Sequence, residues 1–514
     1  MGKNQVYFNR AFFKISPKLI RFNPAFFMMI LALFPSCAEK RMSVREAKQV
    51  TVSMDAESFV PPPRHIDDIL NLLHEQEQVD TEVVERLKAR ADALPPENAS
   101  NGYLARFYFR RGFAAWELGR ERQALEDYRM ALQYVEKSSL KGRKILLNLA
   151  KAEKKFGNFR QARELLERMR EDSRSTAMFS NLVSVYAGIG DIENAKKAKT
   201  EGLAECNKPG KRSKPYTIQH ASTMEARVLG LDGRWKDAEP YIRKSIDILS
   251  SKGRYRPSET IDHRVWLVNN LVSQGRLLEA ELEARQTLKE AVQYAGIGSN
   301  MTWKALDALG KVVLAQGRLE DAEILIRAEI RLLEDSGLSD DSKFMTRARM
   351  SLGHILATRG EFEQAMDQYD IVWGKMREDQ YIYDRWFGKK LNMMLSLIMV
   401  GRAEEALPWL SKALEKYEKR LGVEHLRTSV PLALKGLAYT RMGNQKKGLQ
   451  YLSKAIPLLL ETDVDEGGAY AKTYPRMRRF KILLEAYLFL LSKIRGTEME
   501  RVLGVDAVAE TFRL

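Results

Sequence analysis

The side chains able to do chemistry are few in this 514-residue chain, and their spacing does not suit it. The six histidines, His65, His74, His220, His263, His354 and His425, never stand three or four apart, so no helix face offers a pair of them to a metal. His74-Glu75 lacks the second histidine of a zinc-protease helix, and His354 sits beside apolar residues, as a packed histidine does. There is no Gly-x-x-x-x-Gly-Lys-Ser/Thr phosphate loop, no Gly-x-Gly-x-x-Gly after a strand and no Gly-x-Ser-x-Gly elbow. Cys206 follows Glu205 near Lys208, where a thiolate would be somewhat stabilised, and His220 is its conceivable partner across the fold. Acidic pairs such as Glu404-Glu405 read as solvated helix faces. The sequence thus predicts no catalytic residue, no cofactor and no metal, and it points to recognition instead.

What the chain has in place of a reactive constellation is a recurring phrase. Gly119, Gly157, Gly190, Gly233, Gly275, Gly317, Gly360, Gly401 and Gly443 are separated by 38, 33, 43, 42, 42, 43, 41 and 42 residues. In the fullest copies a small residue stands seven positions before this glycine and another five after it, as in Gly112, Gly119 and Ala124, or Gly353, Gly360 and Ala365. The central glycine suits a turn that needs positive φ, and the flanking small residues let two antiparallel helices approach closely. In the last copy Gly448 replaces the usual alanine, at a cost of about 1 kcal/mol in helix propensity. A period in this range predicts an all-α solenoid: a right-handed superhelix of about nine to ten helical hairpins.

These residues resemble the tetratricopeptide repeat family. The spacing of 41 to 43 is similar to the longer repeat of kinesin light chains, and Leu421-Gly-Val-Glu-His425 resembles that variant's inter-repeat loop. The resemblance covers residues 101–460 and implies a protein or peptide partner held by the first helix of each hairpin. Polar and aromatic residues on those helices that avoid the packing positions are Arg106, Arg110, Lys144, Asn148, Asn181, Asn269, Asn270, Lys304 and Asn392, with Trp303 and Trp386 nearby. An asparagine there offers both a donor and an acceptor to a peptide backbone.

Net charge is +16, from 84 Lys and Arg against 68 Asp and Glu, a mild excess for a long solenoid. Lys208, Lys211, Arg212 and Lys214 fall in a loop, and Arg476, Arg478, Arg479 and Lys481 on a late helix. Both read as solvated surface, without the aromatic interleaving or module of a nucleic-acid binder. Two cysteines exclude a disulfide framework.

Residues 1–37 stand apart. Lys3, Arg10, Lys14, Lys18 and Arg21 precede an apolar run from Pro24 to Phe34 that is too short to span a bilayer comfortably. Cys37 then sits where a bacterial lipoprotein would be lipidated. The expectation is export, membrane attachment through this segment and a location in the cell envelope, with a cytoplasmic location as the alternative. Residues 38–100 read as a cap: an extended piece over 50–60, a stiff break at Pro61-Pro62-Pro63, and helices over 66–73 and 83–93 stopped by Pro95-Pro96. Residues 461–514 read as C-terminal helices. The stretch Ser58–Leu70 and the last residues, Val508–Leu514, resemble flanks of bacterial repeat proteins carrying a CHAT domain, a caspase-like peptidase. That implies the sensor or regulatory part of a peptidase, but no residue of this chain matches the catalytic positions. The alternatives are an envelope lipoprotein scaffold for a secretion or surface complex, and a cytoplasmic regulatory or nucleic-acid-associated scaffold.

Overall fold

The computed structural model describes residues 63, 65–75, 81–118, 120–135, 140–156, 158–172, 174–251, 257–338, 343–376, 391–460 and 473–494. All of them belong to the compact unit Pro61–Leu514. The described residues form helices and no strand, arranged as a right-handed, tetratricopeptide-like solenoid.

Two helices come first, α1 (Asp67–Glu75) and α2 (Thr81–Ala91). Nine hairpins follow among the described residues. They are α3 (Asn101–Glu117) with α4 (Glu121–Gln133), α5 (Leu140–Phe156) with α6 (Phe159–Asp172), and α7 (Thr176–Ile189) with α8 (Ile192–Cys206). Next come α9 (Pro215–Leu231) with α10 (Trp235–Ser250), α11 (Pro257–Gln274) with α12 (Leu277–Ala295), and α13 (Asn300–Ala315) with α14 (Leu319–Asp335). The last three are α15 (Lys343–Arg359) with α16 (Phe362–Met376), α17 (Leu391–Met399) with α18 (Ala403–Leu421), and α19 (Leu426–Arg441) with α20 (Gln445–Leu460). Helix α21 (Tyr474–Ile494) comes last.

The local reasons match the sequence. Seven of the nine repeat glycines fall in described residues, and all seven take φ between +75° and +103°. At Gly190 the left-handed turn lets its own N–H reach the Ala187 carbonyl while Asp191 N–H donates to Tyr186. The Asp191 side chain then caps α8 by accepting from Asn194 N–H. Gly119 and Gly157 lie outside the described residues. The small residues at the crossings are needed sterically: a Cβ at Gly310 would sit 2.7 Å from Ile326, and one at Gly353 would sit 2.5 Å from the Tyr369 ring.

An ionic ladder ties the repeats of the middle hairpins together. The arginine after the turn glycine bonds an acid three positions on, as Arg318 does with Asp321 at 2.7 Å. It also reaches back to a buried glutamate of the preceding hairpin: Arg276 to Glu239, and Arg318 to Glu281 at 3.0 Å. Arg359, which stands just before Gly360 rather than after it, reaches Glu323 at 2.6 Å. Burial alone would raise the Glu239 carboxyl, but Gln274, Arg243 and Arg276 outweigh it and hold the group ionised below its ordinary value.

Both flanks are spent on packing. Ala91 of α2 is buried, and the backbone after it is held by Arg111 Nη1 donating to the Ala93 carbonyl at 3.0 Å. Helix α1 docks much later in the chain. Arg285 on α12 reaches both Asp68 oxygens at 2.6 Å and the His65 carbonyl at 3.0 Å, while Ile66, Ile69 and Leu73 join the main core. At the other end α21 turns back against α13, α15, α19 and α20 and buries Leu483, Tyr487, Leu490, Leu491 and Ile494.

The expected membrane attachment, lipoprotein character and envelope location are corrected. A bilayer span needs roughly 20 consecutive apolar residues. Among the described residues no helix is long and apolar enough to cross a membrane. Cys37, the apolar run before it and the expected extended piece over 50–60 lie outside the described residues.

Candidate functional site

The first helices of the hairpins form the inner side of the solenoid, because contacts between distant repeats join them. Asn300 Nδ2 on α13 donates to the Trp116 carbonyl on α3 at 2.9 Å. Ser258 Oγ on α11 donates to Glu117 at 3.1 Å. Lys151 meets Glu259 at 3.3 Å, Lys155 meets Asp262 at 2.8 Å, and Lys304 reaches the other Asp262 oxygen at 3.1 Å. These bonds close α3 and α5 onto α11 and α13 across more than a hundred residues of chain.

Helical spacing supplies the groups. Lys151, Lys154 and Lys155 share one face of α5, and Glu259, Asp262, His263 and Trp266 share one face of α11. Arg227 on α9 stacks its guanidinium over the Trp266 ring, 4.1 Å from the centroid. The crevice therefore gathers five cations (Lys151, Lys154, Lys155, Arg227, Lys304) against three carboxylates (Glu117, Glu259, Asp262). It stays open to solvent, since Lys151 and Glu259 keep 34% and 35% of their side-chain surface.

The electrostatics follow from this crowding. Burial lowers Lys154 to about 7, and Arg227, Lys151 and Lys155 push it the same way. Burial lowers His263 to about 4, helped by Arg227, so the imidazole is neutral at pH 7. Burial raises Glu117, against the hydrogen bond from Ser258 and the pull of Lys155 and Lys304. Asp262 goes the other way: burial would raise it, but Lys155 and Lys304 together hold it far below the ordinary carboxylate range.

The residues singled out in the sequence divide among several environments. Asn181 and Lys304 line the crevice: Asn181 Oδ1 accepts from Lys154 Nζ at 3.0 Å. Asn148 donates to the Lys144 carbonyl, Lys144 lies over the Phe109 ring, and Arg106 and Arg110 are exposed on α3. Asn269 is exposed and donates to the Val265 carbonyl one turn back. Asn270 is buried and donates to the Trp235 carbonyl at 3.0 Å, so it fixes the start of α10. Trp303 is 1% exposed and packs edge-on against Phe344 in the core. Asn392 accepts from Arg479 of α21, and Arg478 beside it donates to the Thr358 carbonyl. Trp386 lies outside the described residues. Sequence reasoning did not single out Lys151, Lys154, Lys155, Arg227, Asp262 or Trp266. The i, i+3, i+4 spacing on α5 and α11 was the available signal.

Other groups suggested for chemistry are absorbed structurally. Cys206 is buried, its thiol donates to the Thr217 carbonyl at 3.7 Å, and burial, with Glu205 beside it, raises it to about 11. No stabilised thiolate forms there. His220 Nδ1 pairs with Thr176 Oγ1 at 2.9 Å. Lys208 and Lys211 of the basic loop both bind the buried Glu205 carboxylate. Among the described residues no group of His, Cys, Asp or Glu is placed to hold a metal.

Residues 390–461 match the tetratricopeptide repeat family. The described residues as a whole form an all-α, tetratricopeptide-like solenoid. Among solved structures it is similar to a putative kinesin light chain with TPR-like repeats from Podosopora anserina (15% identity, 41% of this chain, 99% of that one, TM-score 0.31). It is also similar to the apo quorum sensor NprR from B. thuringiensis (10% identity, 74% and 100%, TM-score 0.42). A third is a Rap protein complexed with competence and sporulation factor (13% identity, 70% and 98%, TM-score 0.44). No curated protein matches the chain.

Proposed function

We propose that this protein is a regulatory interaction scaffold that holds a protein or peptide segment along the first helices of its second to sixth hairpins. The observation that carries this reading is the crevice itself: charged side chains from α5, α9, α11 and α13, with Asn181 of α7, converge on one solvent-open line. Farther along, α21 packs against the inner helices α15 and α19 and meets α13 near its end, where Tyr474 lies against Gly317, which leaves the earlier part of the inner side as the accessible stretch. Repeat spacings of 41 to 43 residues support the extended, kinesin-light-chain-like type of repeat. The peptidase link gains no such support: the Pro63 and His65 carbonyls and the Asp68 carboxylate are spent on Arg285, and residues 508–514 lie outside the described residues.

A photo-crosslinking residue at Lys151 tests the reading, with one at the outward-facing, exposed Leu278 as control. Partner capture at 151 and not at 278 is expected. Capture at 278 alone would overturn it, and so would steady hydrolysis of the captured segment by residues 38–514.

A further inference from the structure

The crevice holds more positive charge than its own acids answer. Asp262 is shared by Lys155 and Lys304, and Glu259 is taken by Lys151. Among the described residues Lys154 Nζ donates to the neutral Asn181 oxygen at 3.0 Å, and Asp262 acts on it through charge alone. Arg227 rests on the Trp266 face, with its buried Nε lacking a hydrogen-bond partner. His263, edge-on to the same Trp266, has a buried Nδ1 that is likewise unpartnered. These groups act on one another's charge: Arg227 and Lys154 both disfavour a proton on His263 and Arg227 disfavours one on Lys154, while Asp262, already shared by two lysines, draws all three the other way. Leaving a buried donor unmet costs about 1–3 kcal/mol, so the arrangement is adverse until a negative group enters.

We propose that the pocket between α5, α9 and α11 is an oxyanion site, in which Lys154, Arg227 and His263 receive a carboxylate of a bound peptide or a free phosphate. Arg227 and Lys154 supply charge from two helices, Asn181 turns Lys154 toward the crevice, and Trp266 fixes the guanidinium plane. The peptide form of this proposal rests on the scaffold reading above, whereas the phosphate form does not.

Calorimetric titration of the full chain at pH 7 decides it, with three probes: capped tetraglutamate, capped tetraglutamine and inorganic phosphate. Tetraglutamate or phosphate binds at least tenfold more tightly than tetraglutamine. Binding of tetraglutamate, whose carboxylates are already ionised at pH 7, is accompanied by uptake of a fraction of a proton, seen by repeating the titration in buffers of different ionisation enthalpy, because an anion restores the proton that Lys154 partly loses near pH 7. Arg227→Gln weakens binding at least tenfold. Lys154→Arg, which keeps the charge and guards against a folding defect, preserves binding but abolishes proton uptake. Which probe wins identifies the source of the anion. Equal binding of tetraglutamate and tetraglutamine, with no phosphate binding, overturns the oxyanion site and leaves the scaffold reading standing. Oxyanion binding unchanged in Arg227→Gln overturns it as well.

Discussion

Replacing Gly436 by alanine tests the physical basis of the solenoid more sharply than any deletion. Alanine belongs in helices and glycine does not, so in the middle of α19 the change gains about 1 kcal/mol of propensity. The new Cβ, however, would lie 2.7 Å from Leu452 Cγ, 3.0 Å from the Gly448 carbonyl oxygen and 3.1 Å from Leu452 N, where ordinary contact begins at 3.4 Å. Two of those three atoms are backbone and cannot rotate aside, so α19 and α20 must separate. Overpacking of this kind costs about 1–3 kcal/mol, and backbone neighbours place this site at the upper end. The net expectation is a loss of about 1–2 kcal/mol, opposite in sign to the propensity scale. Gly448 has the same origin: a Cβ there would meet the Thr440 hydroxyl, and its carbonyl is the one that faces Gly436. Because repeats unfold by neighbourhood, the loss is read by hydrogen exchange of residues 426–460 as well as by the urea midpoint. Gly102→Ala, where nothing lies within 4 Å, is the control and is neutral or stabilising. A Gly436→Ala protein as stable as the parent, with unchanged exchange in the last hairpin, would refute the close-approach argument.

Two further outcomes follow from buried titratable groups. Cys206 resists iodoacetamide at pH 8 in the folded protein and reacts readily in urea, since burial raises its thiol to about 11; fast labelling of the native chain would contradict its position. Glu329 is fully buried, and burial together with Asp307 raises it to about 8. The folded chain therefore holds a proton that the unfolded chain has released between pH 4.5 and 8, so stability falls as pH rises through that window. Glu329→Gln removes this fall, and parallel urea midpoints at pH 5 and pH 8 for the parent and the variant measure it.

The hairpins were legible because their cause is local. A glycine with positive φ and a small residue at a crossing each act within about a dozen positions, and the spacing of Gly233, Gly275, Gly317 and Gly360 repeats that cause often enough to be seen. The ladder was legible in principle for the same reason, since an arginine follows Gly275 and Gly317 and a glutamate stands six residues after each. Its second half is an inter-repeat contact, though, and only the structure joins Arg318 to Glu281. Trp303 shows the limit of reading a face from polarity: as an aromatic among polar neighbours it looked outward, yet the next repeat brings Phe344 over it and buries it.

The crevice was hidden for a stronger reason. Lys155 and Asp262, or Asn300 and Trp116, meet only because small rotations between successive hairpins accumulate until the first helices face each other. No single repeat encodes that sum. The same geometry sets what a ligand must do. Entering between α5 and α11, it competes with bonds such as Lys151 to Glu259, which tie early repeats to late ones. An anion that satisfies Lys154 and Arg227 without displacing Asp262 from Lys155 and Lys304 would stabilise the closed solenoid. A segment that takes Lys151 and Lys155 for itself would loosen it. If the proposed ligand binds there, binding and curvature are coupled through one set of side chains.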